Sequence, residues 1–195
     1  MATMDKNILC KRLDYKRDQI NIKAMVDFIM NEFKKSNKEE IIIVNIGTDK
    51  CSGDSFAPFL GSYLEEKDYP IKFYGTLEEP IHALNIYREI DKIRDLHKNA
   101  FIIALDSAMS AISDVGNIVI RNKPIEAGAG LGKDLPSVGD VSIIYNAIDS
   151  NYGFFGLNEN VRLGDILKAV KETYKVFDEL KNIYISSNVD IKNVG

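Results

Sequence analysis

From Ile22 to Phe33 the apolar residues fall at Ile22, Met25, Val26, Ile29, Met30 and Phe33. This three-and-four spacing draws one stripe along an amphipathic helix. The period then changes. Glu39-Glu40-Ile-Ile-Ile-Val-Asn-Ile46 is a short β-branched run stopped by Gly47, which predicts a strand buried on both faces. Phe101 to Leu105 repeats the pattern and ends at Asp106. Ile118–Ile120, Val141–Tyr145 and Ile71–Tyr74 predict further strands. Helical patterns fill the intervals. One spans Ser55 to Leu64, opening with Asp54, Ser55 and Pro58; a second spans Ile81 to His97 and is entered through Pro80. The last spans Arg162 to Leu180, with Leu163, Ile166, Leu167, Val170, Tyr174, Phe177 and Leu180 on one stripe.

Strands alternating with helices predict an α/β protein, a three-layer α/β/α sandwich around a mostly parallel sheet. No repeat or linker divides the pattern. The expected organisation is a polar leader over residues 1–20, a single domain over 21–182 and a polar tail over 183–195, frayed beyond Lys181.

Composition narrows the function classes. Hydrophobic residues are 45% and charged residues 28% of 195, which excludes a disordered chain, a collagen or a coiled-coil rod. With 25 basic against 29 acidic residues the net charge is −4, a poor balance for gripping nucleic-acid phosphates. No stretch approaches the roughly 18–20 apolar residues of a membrane span. The amino terminus has no continuous apolar core of a secretory signal, so the expected location is cytoplasmic. Cys10 and Cys51 are too few for a disulfide framework or a structural zinc site.

In such sheets the chemistry collects where strands end and loops leave for helices. Two loops there carry reactive side chains: Gly47-Thr-Asp-Lys-Cys-Ser-Gly-Asp-Ser55 and Leu105-Asp-Ser-Ala108. A third segment, Pro124 to Pro136, is rich in glycine but does not fit a nucleotide loop. Ala127 stands where a P-loop needs glycine, and Asp134 stands where it needs a hydroxyl. The dinucleotide fingerprint fails as well, because after Gly128 and Gly130 the third glycine position is Lys133. The plain reading is a loop whose glycines permit positive φ.

A cysteine nucleophile would need Cys51 beside an imidazole, and the chain has only His82 and His97. His97 is expected to cap the end of its helix and complement the dipole there. His82, at the start of that helix, can face the site or serve as a partly buried structural histidine. No His-x-x-x-His, Cys-x-x-Cys or Gly-x-Ser-x-Gly spacing occurs, so neither a zinc site nor a hydrolase elbow is expected. That leaves two aspartates. Asp106 closes an apolar strand, where a carboxylate is costly unless it is paired or functional. Asp54 has a competing role as a helix N-cap, which Ser55 could take over and leave Asp54 free.

An ordered set of motifs carries a family likeness. Ile46-Gly-Thr-Asp with Ser52-Gly-Asp-Ser55 and Pro58, and Gly75-Thr-Leu with Pro80-Ile-His-Ala83 and Asn85, come first. Ile103-Ala-Leu-Asp106, then Gly128-Ala-Gly-Leu-Gly-Lys133 with Leu135-Pro136 and Val138-Gly-Asp140, complete it. From about Ile41 to Leu180 the chain resembles the YyaC sporulation proteins. That family is similar to the germination protease and, more distantly, to the hydrogenase maturation endopeptidases. The resemblance implies a phosphorylase/hydrolase-like α/β/α fold and peptide hydrolysis by two aspartates, which match Asp54 and Asp106 by motif. The maturation endopeptidases hold nickel with acidic residues and a histidine, and this chain shows no clear counterpart of that histidine.

The expectation is therefore a sporulation-associated endopeptidase in which Asp54 and Asp106 share a water. Gly128, Gly130, Lys133, His82 and Ser55 are the candidates for binding substrate or the oxyanion. The alternative is a non-catalytic peptide- or partner-binding protein on the same fold; a small-molecule hydrolase or phosphorylase rests on fold analogy alone. The expected partner is a peptide or protein substrate, with a homo-oligomer left open. Cofactor, resident metal, nucleic acid and membrane are not expected.

Overall fold

In a computed structural model the described residues are 8–12, 22–126 and 135–192. The chain runs β1 (Ile8–Arg12), α1 (Ile22–Ser36), β2 (Glu40–Asn45), α2 (Phe56–Glu66), β3 (Phe73–Tyr74), α3 (Ile86–Leu96) and β4 (Ala100–Ser110). It continues β5 (Asn117–Arg121), β6 (Ile125–Glu126), β7 (Ser137–Val138), β8 (Val141–Asp149), α4 (Gly153–Glu159) and α5 (Leu163–Lys192). Six strands form one sheet in the order β1-β5-β8-β4-β2-β3, and β6 with β7 forms a separate hairpin. β8, β4, β2 and β3 pair in parallel, while β5 runs antiparallel to both β8 and β1.

The strand side chains sort by parity into two cores. Ile41, Ile43, Phe101, Ile103 and Leu105 pack with α1, α2 and α5 on one face. Ile42, Val44 and Ala104 pack with Ile86, Ile90 and Ile93 of α3 and with Ile125 and Val138 of the hairpin on the other. Successive side chains of a strand point to opposite faces, so the unbroken apolar run of β2 feeds both layers. The three-layer α/β/α architecture with a mostly parallel sheet is thereby established.

Several boundaries differ from the sequence pattern. Residues Ile8–Arg12, inside the expected leader, pair in register with Arg121–Asn117 as an edge strand. α3 starts at Ile86 rather than Ile81, because Ile81 is drawn into a parallel bridge with Ile46 and its carbonyl accepts the Gly47 N–H at 2.8 Å. β4 does not stop at Leu105. Pairing with β8 carries it to Ser110 through an irregularity at Ala108/Met109, so Asp106 lies within the strand and not at its end. α5 does not fray after Lys181 but continues to Lys192. Tyr184 anchors that extension: its ring meets Phe33 edge-on at 5.8 Å and its hydroxyl accepts the Ile41 N–H at 3.2 Å.

Candidate active site: two aspartates in one cavity

Asp54 reaches the site through a sharp reversal after β2. The chain leaves Ile46, turns at Gly47 and Thr48, and returns in a single 3-10 turn, Ser52–Asp54, before α2. Gly47 has φ +146°, and a side chain there would collide with the Asp54 carbonyl. That carbonyl accepts the Thr48 N–H at 3.1 Å, which clamps the turn onto the end of β2. Gly53 packs against Leu157 of α4 with no room for a Cβ, so α4 backs the turn from behind.

Asp106 comes from β4. It shares the parity of Ile102, Ala104 and Ala108, which lie on the α3 face, and so its carboxylate points to the same face. Its Oδ1 accepts the Ser107 N–H at 2.7 Å.

Asp54 and Asp106 both line a cavity of about 820 Å³ on this face. The wall facing the sheet is Ile46, Ala108 and Ile144; the facing walls are Ala83, Leu84 and Ile86 at the start of α3, and Pro124, Ile125 and Leu135 at the hairpin. Lys50, Arg121, Lys123 and Glu126 add charge to the lining. Both aspartates keep some exposed surface toward the cavity but are hemmed in by protein. Desolvation pushes Asp54 up to about 7, and the Thr48 N–H works against it. Asp106 is raised well above the ordinary carboxylate range, first by desolvation and then by the charge of Asp54. The charge of Asp54 thus bears on Asp106 in the shared cavity.

The other sequence candidates divide. His82 lines the cavity, though as part of a turn preceding α3 and not within the helix. Ser55 does not line it: this residue is buried, stands at the N-cap position of α2, and donates its hydroxyl to the Ser52 carbonyl at 2.7 Å. It thus makes no side-chain cap of the kind expected. Gly128, Gly130 and Lys133 lie outside the described residues, although the segment's two ends, Pro124–Glu126 and Leu135, form part of the cavity wall. Cys51 is absent from the lining, and burial pushes its thiol up, away from a ready thiolate. His97 is the C-cap residue of α3, its ring held between the Tyr74 hydroxyl at 2.7 Å and Glu40 at 2.8 Å, away from the cavity.

Sequence reasoning missed Arg121 and Lys123, and did not single out Lys50 within the loop it had marked. For Arg121 a signal existed: it extends the strand Ile118–Ile120 by one residue, with the parity opposite to those two buried isoleucines. Among the described residues, no group of three or more His, Cys, Asp and Glu side chains converges as metal ligands. Among the same residues no helix is long and apolar enough to cross a membrane.

Fold and site together define a three-layer α/β/α protein with two desolvated aspartates in one cavity beside a hairpin. The chain belongs to the family described as "Protein of unknown function (DUF1256)", whose model matches residues 13–176. It is similar to the uncharacterized protein YyaC of Bacillus subtilis (strain 168), with 36% identity over 153 residues, 77% of this chain and 74% of that protein.

Proposed function

We propose that this protein is an endopeptidase of sporulating cells, similar to the germination protease, that hydrolyses peptide bonds with Asp54 and Asp106. The observation that carries the reading is the pair itself: two desolvated carboxylates in one cavity, with Asp54 pushed up to about 7 and Asp106 raised by its neighbour's charge. Two carboxyl groups that repel one another share a proton rather than both ionising, and a water-activating pair needs that division.

Asp54 has the Thr48 N–H to favour its charge, so it ionises first and acts as general base. Asp106, more enclosed and next to that charge, keeps its proton and acts as general acid. The water oxygen bonds to the scissile carbonyl carbon while Asp54 takes the water's proton. The C–N bond then breaks as Asp106 delivers its proton to the leaving nitrogen. Proton return from Asp54 to Asp106 restores the pair, and the net reaction consumes one water per peptide bond.

The test is to incubate the purified protein with extracts of spore coat and core and to map new peptide termini by mass spectrometry. New termini that vanish with Asp106→Asn and with Asp54→Asn are expected. Unchanged cleavage by both variants would overturn the aspartate pair. Capture of peptides with no cleavage at all would favour the non-catalytic peptide- or partner-binding reading instead.

A further inference from the structure

A carbonyl attacked by water develops negative charge on its oxygen, and a donor must meet it. The cavity lining includes a histidine whose backbone and ring both have hydrogen-bond partners. His82 sits across from the Asp54 turn, because its neighbour Ile81 is bridged to Ile46 and accepts the Gly47 N–H at 2.8 Å. Its own N–H donates to Asn85 Oδ1 at 2.8 Å, while Asn85 Nδ2 donates to the Pro80 carbonyl at 2.9 Å. Its carbonyl accepts the N–H groups of Asn85 at 3.0 Å and Ile86 at 2.9 Å. The backbone is therefore held on both sides.

The ring is held too. The Leu84 N–H donates to His82 Nδ1 at 3.2 Å. An Nδ1 that accepts carries no proton, so the neutral imidazole has its hydrogen on Nε2. His82 lines the cavity that holds both aspartates. The Nε2–H is then a donor of set tautomer on a residue that lines the cavity holding both aspartates.

We infer that His82 is a further catalytic residue, its Nε2–H donating to the scissile carbonyl oxygen as the oxyanion forms. The inference rests on the aspartate-pair reading for its reaction, but the geometry of the ring stands apart from it. Asp54 and Asp106 handle the protons, and the imidazole supplies a fixed dipole without giving one up. Leu84 is itself a lining residue and is 88% exposed, and it is its backbone N–H that meets the ring.

The competing role is purely local, with Nδ1 serving as an acceptor for the turn before α3. Two substitutions separate the roles. His82→Asn keeps an acceptor near the Nδ1 position but loses the reach of Nε2. His82→Gln keeps a donor near Nε2 and loses the Nδ1 acceptor. On a peptide found by terminus mapping, His82→Asn is expected to lower kcat by roughly 10²–10³-fold, the usual size for one oxyanion donor, with KM nearly unchanged. His82→Gln should recover part of that loss. Wild-type kcat in His82→Asn, or equal losses of kcat in the two variants, would overturn the inference.

A second measurement needs no cleavage. Nitrogen-15 spectra of the imidazoles, with His97→Gln to assign the two rings, should show His82 protonated on Nε2. Adding N-methylacetamide as a bare amide probe should shift that Nε2–H. An Nδ1-protonated ring, or an Nε2–H indifferent to the amide, would overturn the donor role whatever the protein cleaves. A shifted Nε2–H in a protein that cleaves nothing would support the amide-binding donor and count against the aspartate pair alone.

Discussion

Asp54 and Asp106 are more costly to the fold than their sequence positions suggest. Folding raises Asp54 from an ordinary value of about 3.9 to about 7. A carboxyl group with a raised folded pKa opposes folding only where the unfolded chain would ionise it. The penalty is absent below about pH 4, grows between pH 4 and 7, and is complete above 7. Asp54→Asn should therefore stabilise the protein by about 1–2 kcal/mol at pH 8 and leave it unchanged at pH 4. The gain is smaller than the full shift implies, because a carboxamide is costlier to desolvate than the protonated acid it replaces. Urea unfolding at both pH values checks this; an equal change at pH 4 and pH 8 would contradict a titration origin. Asp106→Asn should act in the same direction. Gly47 is the residue that lets Asp54 approach, so Gly47→Ala should cost more than about 2 kcal/mol and depress cleavage with both carboxylates intact. The same urea titration, beside a cleavage assay, reads both effects.

At the level of elements, what an isolated segment prefers and what its neighbours impose come apart at the ends. β2 was legible to within a residue because its apolar run is bounded by Glu40 and Gly47. β4 was not, since Asp106, Ser107 and Ser110 do not read as strand; they remain extended because β8 pairs with them. The tail shows the same effect. Its polarity predicts fraying, yet α5 continues because Tyr184 crosses to Phe33 and to the backbone of Ile41 at the start of β2. Tyr184→Ala should cost about 1–3 kcal/mol through lost packing and the lost acceptor, and Tyr184→Phe about 0.5–1.5 through the acceptor alone. Denaturant midpoints of the two variants measure this. No change in Tyr184→Ala would mean that the helix beyond Leu180 contributes nothing to stability.

Across the whole molecule, the site exists only because distant stretches of chain close on one face of the sheet. The Asp54 turn follows β2, Asp106 stands in β4, His82 precedes α3, and the far wall comes from the hairpin. Under the proposed mechanism the aspartate pair sets the pH range of activity. A general base near 7 and an acid that holds its proton higher should give a bell-shaped kcat/KM profile, rising through about pH 7 and falling on the alkaline side. A profile with its maximum below pH 5 would exclude this division of roles.

The amino-acid sequence by itself determined the elements whose identity is local. Periodicity distinguishes the stripe of α1 from the buried run of β2, and alternation of the two specifies the α/β/α class. It also singled out Asp54, Asp106 and His82, because charged or polar residues beside apolar strands and turns are legible one position at a time. Tertiary structure decided the rest. The order β1-β5-β8-β4-β2-β3, the reversed direction of β5 and the recruitment of Ile8–Arg12 to the edge depend on pairing partners far away in the chain. The same holds for the state of the aspartates. A carboxyl group's charge is set by the water it loses and the charges it meets, and both are fixed only when β2, β4, α3 and the hairpin enclose one space.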